Sequence, residues 1–253
     1  MPKVNVNGLD INYRVQGEGD PLLMIMGLSF SLLDWGTELP ELLSQRYKVI
    51  LFDNRDAGET SPATGTYTTA QMAEDAASLL ELLGEAKAHV FGISMGGMIA
   101  QKFALNHANQ LNKLILGCTM AGGTCSQFSP PADLGNSSIL EQLFPLEFLQ
   151  VNQGRLIEFL QTTTPYHSQG EALIRQYQAM STHDTCDLLA KITAPTLVIT
   201  GDSDRIIPPQ NSEFLAKNIP NAKLEVLPSA GHAFCFSHPE ATAAAIIDFL
   251  QSQ

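Results

Sequence analysis

A chain of 253 residues with 44% hydrophobic and 16% charged side chains is long enough for one sizeable buried core and short for two. Its net charge of −12 opposes nucleic acid as a partner, because phosphate binding needs a basic face, and equally opposes an anionic membrane surface. No stretch reaches the roughly 18 uninterrupted apolar residues of a membrane-spanning helix, and the start, MPKVNVNGLD, has no long apolar run, so no signal peptide and a cytoplasmic protein are expected.

In chain order, KVNVNGLDINYRVQG alternates and breaks at Asn7-Gly8, which predicts a β-hairpin. Short apolar runs follow at 21–27, 47–53, 88–93, 111–118, 194–202 and 222–228, the pattern of strands buried on both faces. Between them, 68–84 carries Met72, Ala76, Leu79, Leu80 and Leu83 at helical spacing and stops at a glycine. Residues 94–108 and 239–252 also read as helices. Strand and helix in alternation predict a doubly wound α/β protein with a mostly parallel sheet. Residues 119–190 break the rhythm: a loop-like start, TMAGGTCSQFSPPADLGNSS, is followed by helical stretches and no convincing strand. Lying between two predicted strands, they are expected to cover the carboxyl ends of the sheet as a lid. Cys118, Cys125, Cys186 and Cys235 form no Cys-x-x-Cys pair, so neither a zinc site nor a redox motif is suggested, and reduced thiols are the expectation.

The chemistry centres on FGISMGG, residues 91–97. Ser94 follows a predicted strand and opens a predicted helix, with Gly92 and Gly96 two residues to either side. About one serine in 200 carries both glycines by chance, and the context is that of a nucleophile elbow rather than a plain glycine turn. A serine needs a base, and the base an orienting acid. Of six histidines, His232 lies on a glycine loop directly after the last predicted strand, at the sheet edge where Ser94 emerges. Asp204 lies in the loop after the strand at 194–202. Asp202, beside Gly201, is better suited to tying its own turn. Backbone N–H groups of Met95 and of Leu28, after the strand at 21–27, are the candidate oxyanion donors.

Five segments together resemble the α/β-hydrolase-fold family over nearly the whole chain: MGLSFSLLDW (26–35), FDNRDAGETS (52–61), GISMGG (92–97), GDSDRIIP (201–208) and AGHAFCFSHPE (230–240). The resemblance implies an eight-stranded, mostly parallel sheet with helices on both faces, in one domain spanning 1–253, and a helical cap at about 119–190. It implies Ser94, Asp204 and His232 as the triad, and Leu28 and Met95 as oxyanion donors. Two departures stand out. Met26 replaces the family's frequent His before Gly27, and DNRDAGET has Asp56 and Thr60 where the family often has Gly and Ser. Asp53 and Arg55 are expected to brace that loop. Such variants occur among carboxylesterase-like members, including polyketide methylesterases and enol-lactonase-like proteins.

The favoured expectation is hydrolysis of carboxylic esters with small or medium, largely apolar groups, needing no metal or organic cofactor. Two alternatives stay open: the same triad acting on a lactone, enol-lactone or carbon–carbon bond, and a ligand-binding, receptor-like protein on the same fold. Arg155 and Arg175 are the notable cations of 119–190, and a carboxylate-bearing substrate would want one of them in the pocket.

Overall fold

A hairpin starts the sheet. β1 (Lys3–Val6) and β2 (Leu9–Gln16) pair antiparallel, and Asn7 and Gly8 both take positive φ, as the tight two-residue turn demands. The computed structural model describes residues 1–127 and 138–252. The remaining strands are β3 (Pro21–Ile25), β4 (Lys48–Phe52), β5 (Ala88–Ile93), β6 (Leu111–Gly117), β7 (Thr196–Gly201) and β8 (Ala222–Leu227). Their order in space is β1-β2-β4-β3-β5-β6-β7-β8, antiparallel through β4 and parallel from there on.

The buried strands feed two cores, because successive side chains point to opposite faces. Leu23, Ile25, Val90, Leu114 and Leu116 pack under α2 (Thr69–Leu82), α3 (Met95–Asn106) and the helix Pro209–Asn218. Leu22, Met24, Phe91, Ile115 and Ile199 pack under α1 (Glu38–Ser44) and the last helix, Pro239–Gln251. The α2 start is fixed by a capping box in which the Thr68 hydroxyl accepts from Gln71 N–H and the Gln71 side chain accepts from Thr68 N–H. α1 and the helix at 209–218 carry little signal in the sequence, because both are short and lie beside apolar runs that dominate the pattern.

Between β6 and β7 the described residues hold no strand, only an isolated bridge from Gly122 to Asp184. Four α-helices are described there: α4 (Ile139–Leu143), α5 (Leu146–Val151), α6 (Gln153–Thr163) and α7 (Gly170–Ser181). The later part of the loop-like stretch expected before them, residues 128–137, lies outside the described residues. After β7 come α8 (Pro209–Asn218), the short α9 (Phe234–Ser237) and α10 (Pro239–Gln251). Among the described residues no helix is long and apolar enough to cross a membrane.

One expectation is overturned. Cys125 and Cys186 form a disulfide across 61 residues, while Cys118 and Cys235 are free and buried. Sequence spacing carries no trace of this pairing. It arises because the Gly122–Asp184 bridge and the bond from Thr185 N–H to Ala121 C=O bring both ends of the segment together.

Candidate active site

Ser94 sits between the end of β5 and the first residue of α3 with φ 53°, a left-handed conformation rare for a non-glycine residue. The flanking glycines make that turn possible. A Cβ on Gly92 would collide with the Gly96 carbonyl, and one on Gly96 with the Ile25 carbonyl, so strand, helix and β3 meet at backbone distance. Ser94 N–H donates to Gly117 C=O at 2.9 Å, and the Thr119 hydroxyl donates to Ser94 C=O at 2.6 Å. Both partners belong to the end of the neighbouring strand β6 and the turn beyond it.

Asp204 follows β7 and His232 follows β8, so both lie at the same carboxyl edge of the sheet as Ser94. His232 Nδ1 and Asp204 Oδ2 are 2.8 Å apart and buried. The other Asp204 oxygen accepts from the N–H groups of Ile206 and Ile207, both at 2.9 Å, which orients the carboxylate. Burial works against a charged His232 ring, but the Asp204 carboxylate outweighs it, with Cys118 adding, and the ring is held well above the ordinary histidine value. Asp202 is exposed and accepts from its neighbour Ser203. Ser94 Oγ makes no hydrogen bond to His232 among the described residues; such contacts are commonly long in empty sites and tighten around substrate.

The loop after β3 runs against the serine: a Cβ on Gly27 would lie 3.1 Å from Ser94 Cβ. Leu28 N–H has no partner among the described residues, and neither has Met95 N–H, the first orphan donor of α3. Two free amides beside one serine, one at a helix amino end, can stabilise developing negative charge.

The loop carrying Leu28 is held from several sides, mostly by residues the sequence reading leaves without a role. Asn54 Nδ2 donates to Met26 C=O at 2.9 Å. The Asp53 carboxylate accepts from Leu32 N–H, Asn12 Nδ2 and Glu59 N–H, and burial pushes its acidity down. Arg55 forms a two-pronged pair with Asp75, so Asp53 and Arg55 do brace this region. Asp56 stands at φ 64°, a backbone state that suits the glycine the resemblance expects there. Its buried carboxylate accepts two bonds from Arg175 of α7, one from Tyr67 OH and one from Ala63 N–H. Burial alone would raise its pKa; Arg175 leads the contacts that hold it below the usual carboxylate range.

The remaining histidines are engaged elsewhere or buried in the core. His167 contacts Asp34, His183 contacts Thr69, and His238 contacts Ser237. Burial drives His183 down to about 3. Arg175 is committed to Asp56, and Arg155 to Glu38, to the Phe236 carbonyl and to the face of the Phe236 ring.

Leu143, Phe144, Leu156 and Phe236 form an apolar cluster, with Phe30, Ile206 and Ala233 packed on it. Those three follow Leu28, Asp204 and His232 in sequence, so the first half of the β6–β7 segment meets the edge where these residues lie. A cleft of about 470 Å³ opens between residues 33–39, α6 and α9, but its lining includes none of Ser94, Asp204 and His232. The buried His232–Asp204 hydrogen bond therefore lies outside the lining of that cleft. Among the described residues, Cys118, Asp204 and His232 are the only trio whose donor atoms, within 4.8 Å of one another, could hold a metal ion. The Asp204–His232 hydrogen bond already uses two of those atoms.

Comparison with known proteins agrees with this architecture. The family described as alpha/beta hydrolase fold matches residues 20–239. The chain belongs to that family, and it is a hydrolase. A protein of Caulobacter sp. (strain K31), provisionally named carbamate hydrolase RutD, is 29% identical over all of this chain and 99% of its own length. A thermophilic esterase from Thermogutta terrifontis is 29% identical with a TM-score of 0.83, covering 98% of this chain and 96% of its own. The enol-lactonase from Burkholderia xenovorans LB400 is 25% identical with a TM-score of 0.88, covering 99% and 100%.

Proposed function

We propose that this hydrolase cleaves carboxylic esters with small or medium, largely apolar groups, through Ser94, His232 and Asp204. The observation that carries the reading is the buried 2.8 Å pair of His232 and Asp204 at the sheet edge where the strained Ser94 turn emerges. Ser94 Oγ attacks the ester carbonyl as His232 Nε2 takes its proton, and Asp204 holds the resulting imidazolium. The oxyanion rests on the Leu28 and Met95 amides. His232 then protonates the departing alcohol, and water, activated by the same ring, releases the acid from Ser94. In this reading residues of 119–190 cap the site, and the apolar cluster around Phe144 and Phe236 receives the acyl or alcohol group.

The relatives support acyl chemistry without fixing the bond: a carbamate, an ester and an enol-lactone each offer a carbonyl to the same nucleophile. A substrate carrying its own carboxylate is disfavoured, because Arg155 and Arg175 are both already paired. Hydrolysis of p-nitrophenyl acetate and butyrate tests the proposal. Ser94→Ala is expected to lower kcat by a factor of about 10⁴ or more, and unchanged turnover in that variant rejects the assignment.

A further inference from the structure

The side chain of Gln176 is completely buried and spans two loops. Its Oε1 accepts from Ser29 N–H at 2.8 Å, and its Nε2 donates to Arg55 C=O at 2.9 Å. Ser29 is the residue after Leu28 and stands at φ 72°, a state a non-glycine residue keeps only where its surroundings impose it. Ser168 completes the hold. Its N–H donates to Ser29 C=O at 2.8 Å, its hydroxyl donates to Asp56 C=O at 2.6 Å, and Ser29 Oγ donates to Ser168 C=O at 3.2 Å. Both amide and carbonyl of Ser29 are therefore fixed by residues that lie between β6 and β7, far along the chain.

We infer that Gln176, assisted by Ser168, is a positioning residue for the oxyanion donor: the segment that covers the site also sets the direction of the Leu28 N–H. This rests on the ester-hydrolysis reading above and extends it. An oxyanion donor acts where charge develops, so a misdirected Leu28 amide slows the chemical step more than it weakens substrate binding. Gln176 touches no reacting atom; it acts through the Ser29 peptide.

Gln176→Leu removes both bonds at nearly constant volume. Deleting an oxyanion donor outright costs about 10²–10³ in kcat, so displacing one is expected to cost about tenfold to a hundredfold, with KM within about twofold. Affinity for an alkyl trifluoromethyl ketone, which adds the serine oxygen to give a tetrahedral oxyanion, is expected to fall by the same factor as kcat. Ser168→Ala, which strips only the hydroxyl, keeps the test alive if Gln176→Leu does not fold; its expected loss is a few-fold in both quantities. A lowered melting temperature with kcat and ketone affinity unchanged overturns the inference. So does a rise in KM at constant kcat. Ketone binding by the unaltered protein that vanishes in Ser94→Ala is the control. If that control fails, the ester reading itself falls. If it holds while both variants behave as the parent, only the role of Gln176 falls.

Discussion

The two halves of the β6–β7 segment are held in different ways. Residues 139–163 lie against the sheet edge through aromatic and aliphatic contacts: Phe144 stacks on Phe148, and Phe159 and Phe144 meet Phe236. That half also leaves Ile139, Leu146, Val151 and Ile157 exposed, and its main polar tie is Arg155 to exposed Glu38. Residues 166–186 are held by buried polar bonds to two loops, and by a disulfide at the neck. Apolar contact is non-directional and tolerates exchange of shape, whereas buried hydrogen bonds fix geometry and tolerate little. Under the proposed function, the first half is suited to choosing a substrate, and the second to keeping the site in register.

The sharpest way to break this contrast is Arg175→Met, which leaves the buried Asp56 carboxylate without its cation. We expect the largest fall in melting temperature and activity of the changes considered in this comparison. Adding Asp56→Asn should restore part of the loss, because it removes the stranded charge; a thermal double-mutant cycle measures the coupling. The same pair predicts a direction with pH. Asp56 is held below the ordinary carboxylate value of about 3.9, so its stabilisation is present above that value and lost as pH falls through the lower folded one. Acid melts of the parent should show this limb and the double variant should not.

Where the first half meets α9, Phe144→Ala, or Phe236→Ala on the α9 side of the contact, is expected to cost about 3 kcal/mol or more of stability as a buried aromatic truncation. Each should also move preference toward bulkier acyl groups, read from a p-nitrophenyl ester series. Unchanged preference would sever this half from substrate choice. Reducing the Cys125–Cys186 bond should cost about 2–4 kcal/mol on chain-entropy grounds, measured by denaturant melts with and without reductant. The smallest effect should come from Glu38→Gln, about 0.2–1 kcal/mol, because the Arg155–Glu38 pair is partly exposed and Arg155 keeps its contacts to Phe236. The site itself provides a reference common to both halves. With His232 held above its ordinary value, kcat/KM should rise with pH and level only above about 6.5, and Asp204→Asn should remove that upward push.

What the sequence makes legible follows the same division. Strands are legible because they are short apolar runs buried on both faces, and the Ser94 turn is legible because its requirements are local: Gly92 and Gly96 are two residues away. Asp204 and His232 can be placed at one edge because each follows a strand, and the structure joins them. The contacts that stay hidden are long-range. Gln176 lies 147 residues from Ser29, and Arg175 lies 119 from Asp56. No periodicity records such pairs. Asp56 offers a retrospective signal: an aspartate where the resembling family often has glycine must supply something in return for its backbone strain, and it supplies the anchor for Arg175. Cys118 is hidden for another reason. As the residue after β6 it shares the edge with His232 and Asp204, but one buried thiol in an apolar run reads as core.

The neck of the segment has a consequence for how such a protein diversifies. The Gly122–Asp184 bridge and the disulfide bring both ends of a long excursion side by side, so the chain leaves β6 and returns toward β7 through a single narrow doorway. Insertions, deletions or grafts within 138–163 alter what lies beyond the doorway without re-registering a strand. The same freedom stops at about residue 166, where the excursion begins to support the loop that carries Leu28. Variation in length and shape among descendants of this sequence should therefore concentrate in the first half, with the second inherited almost intact.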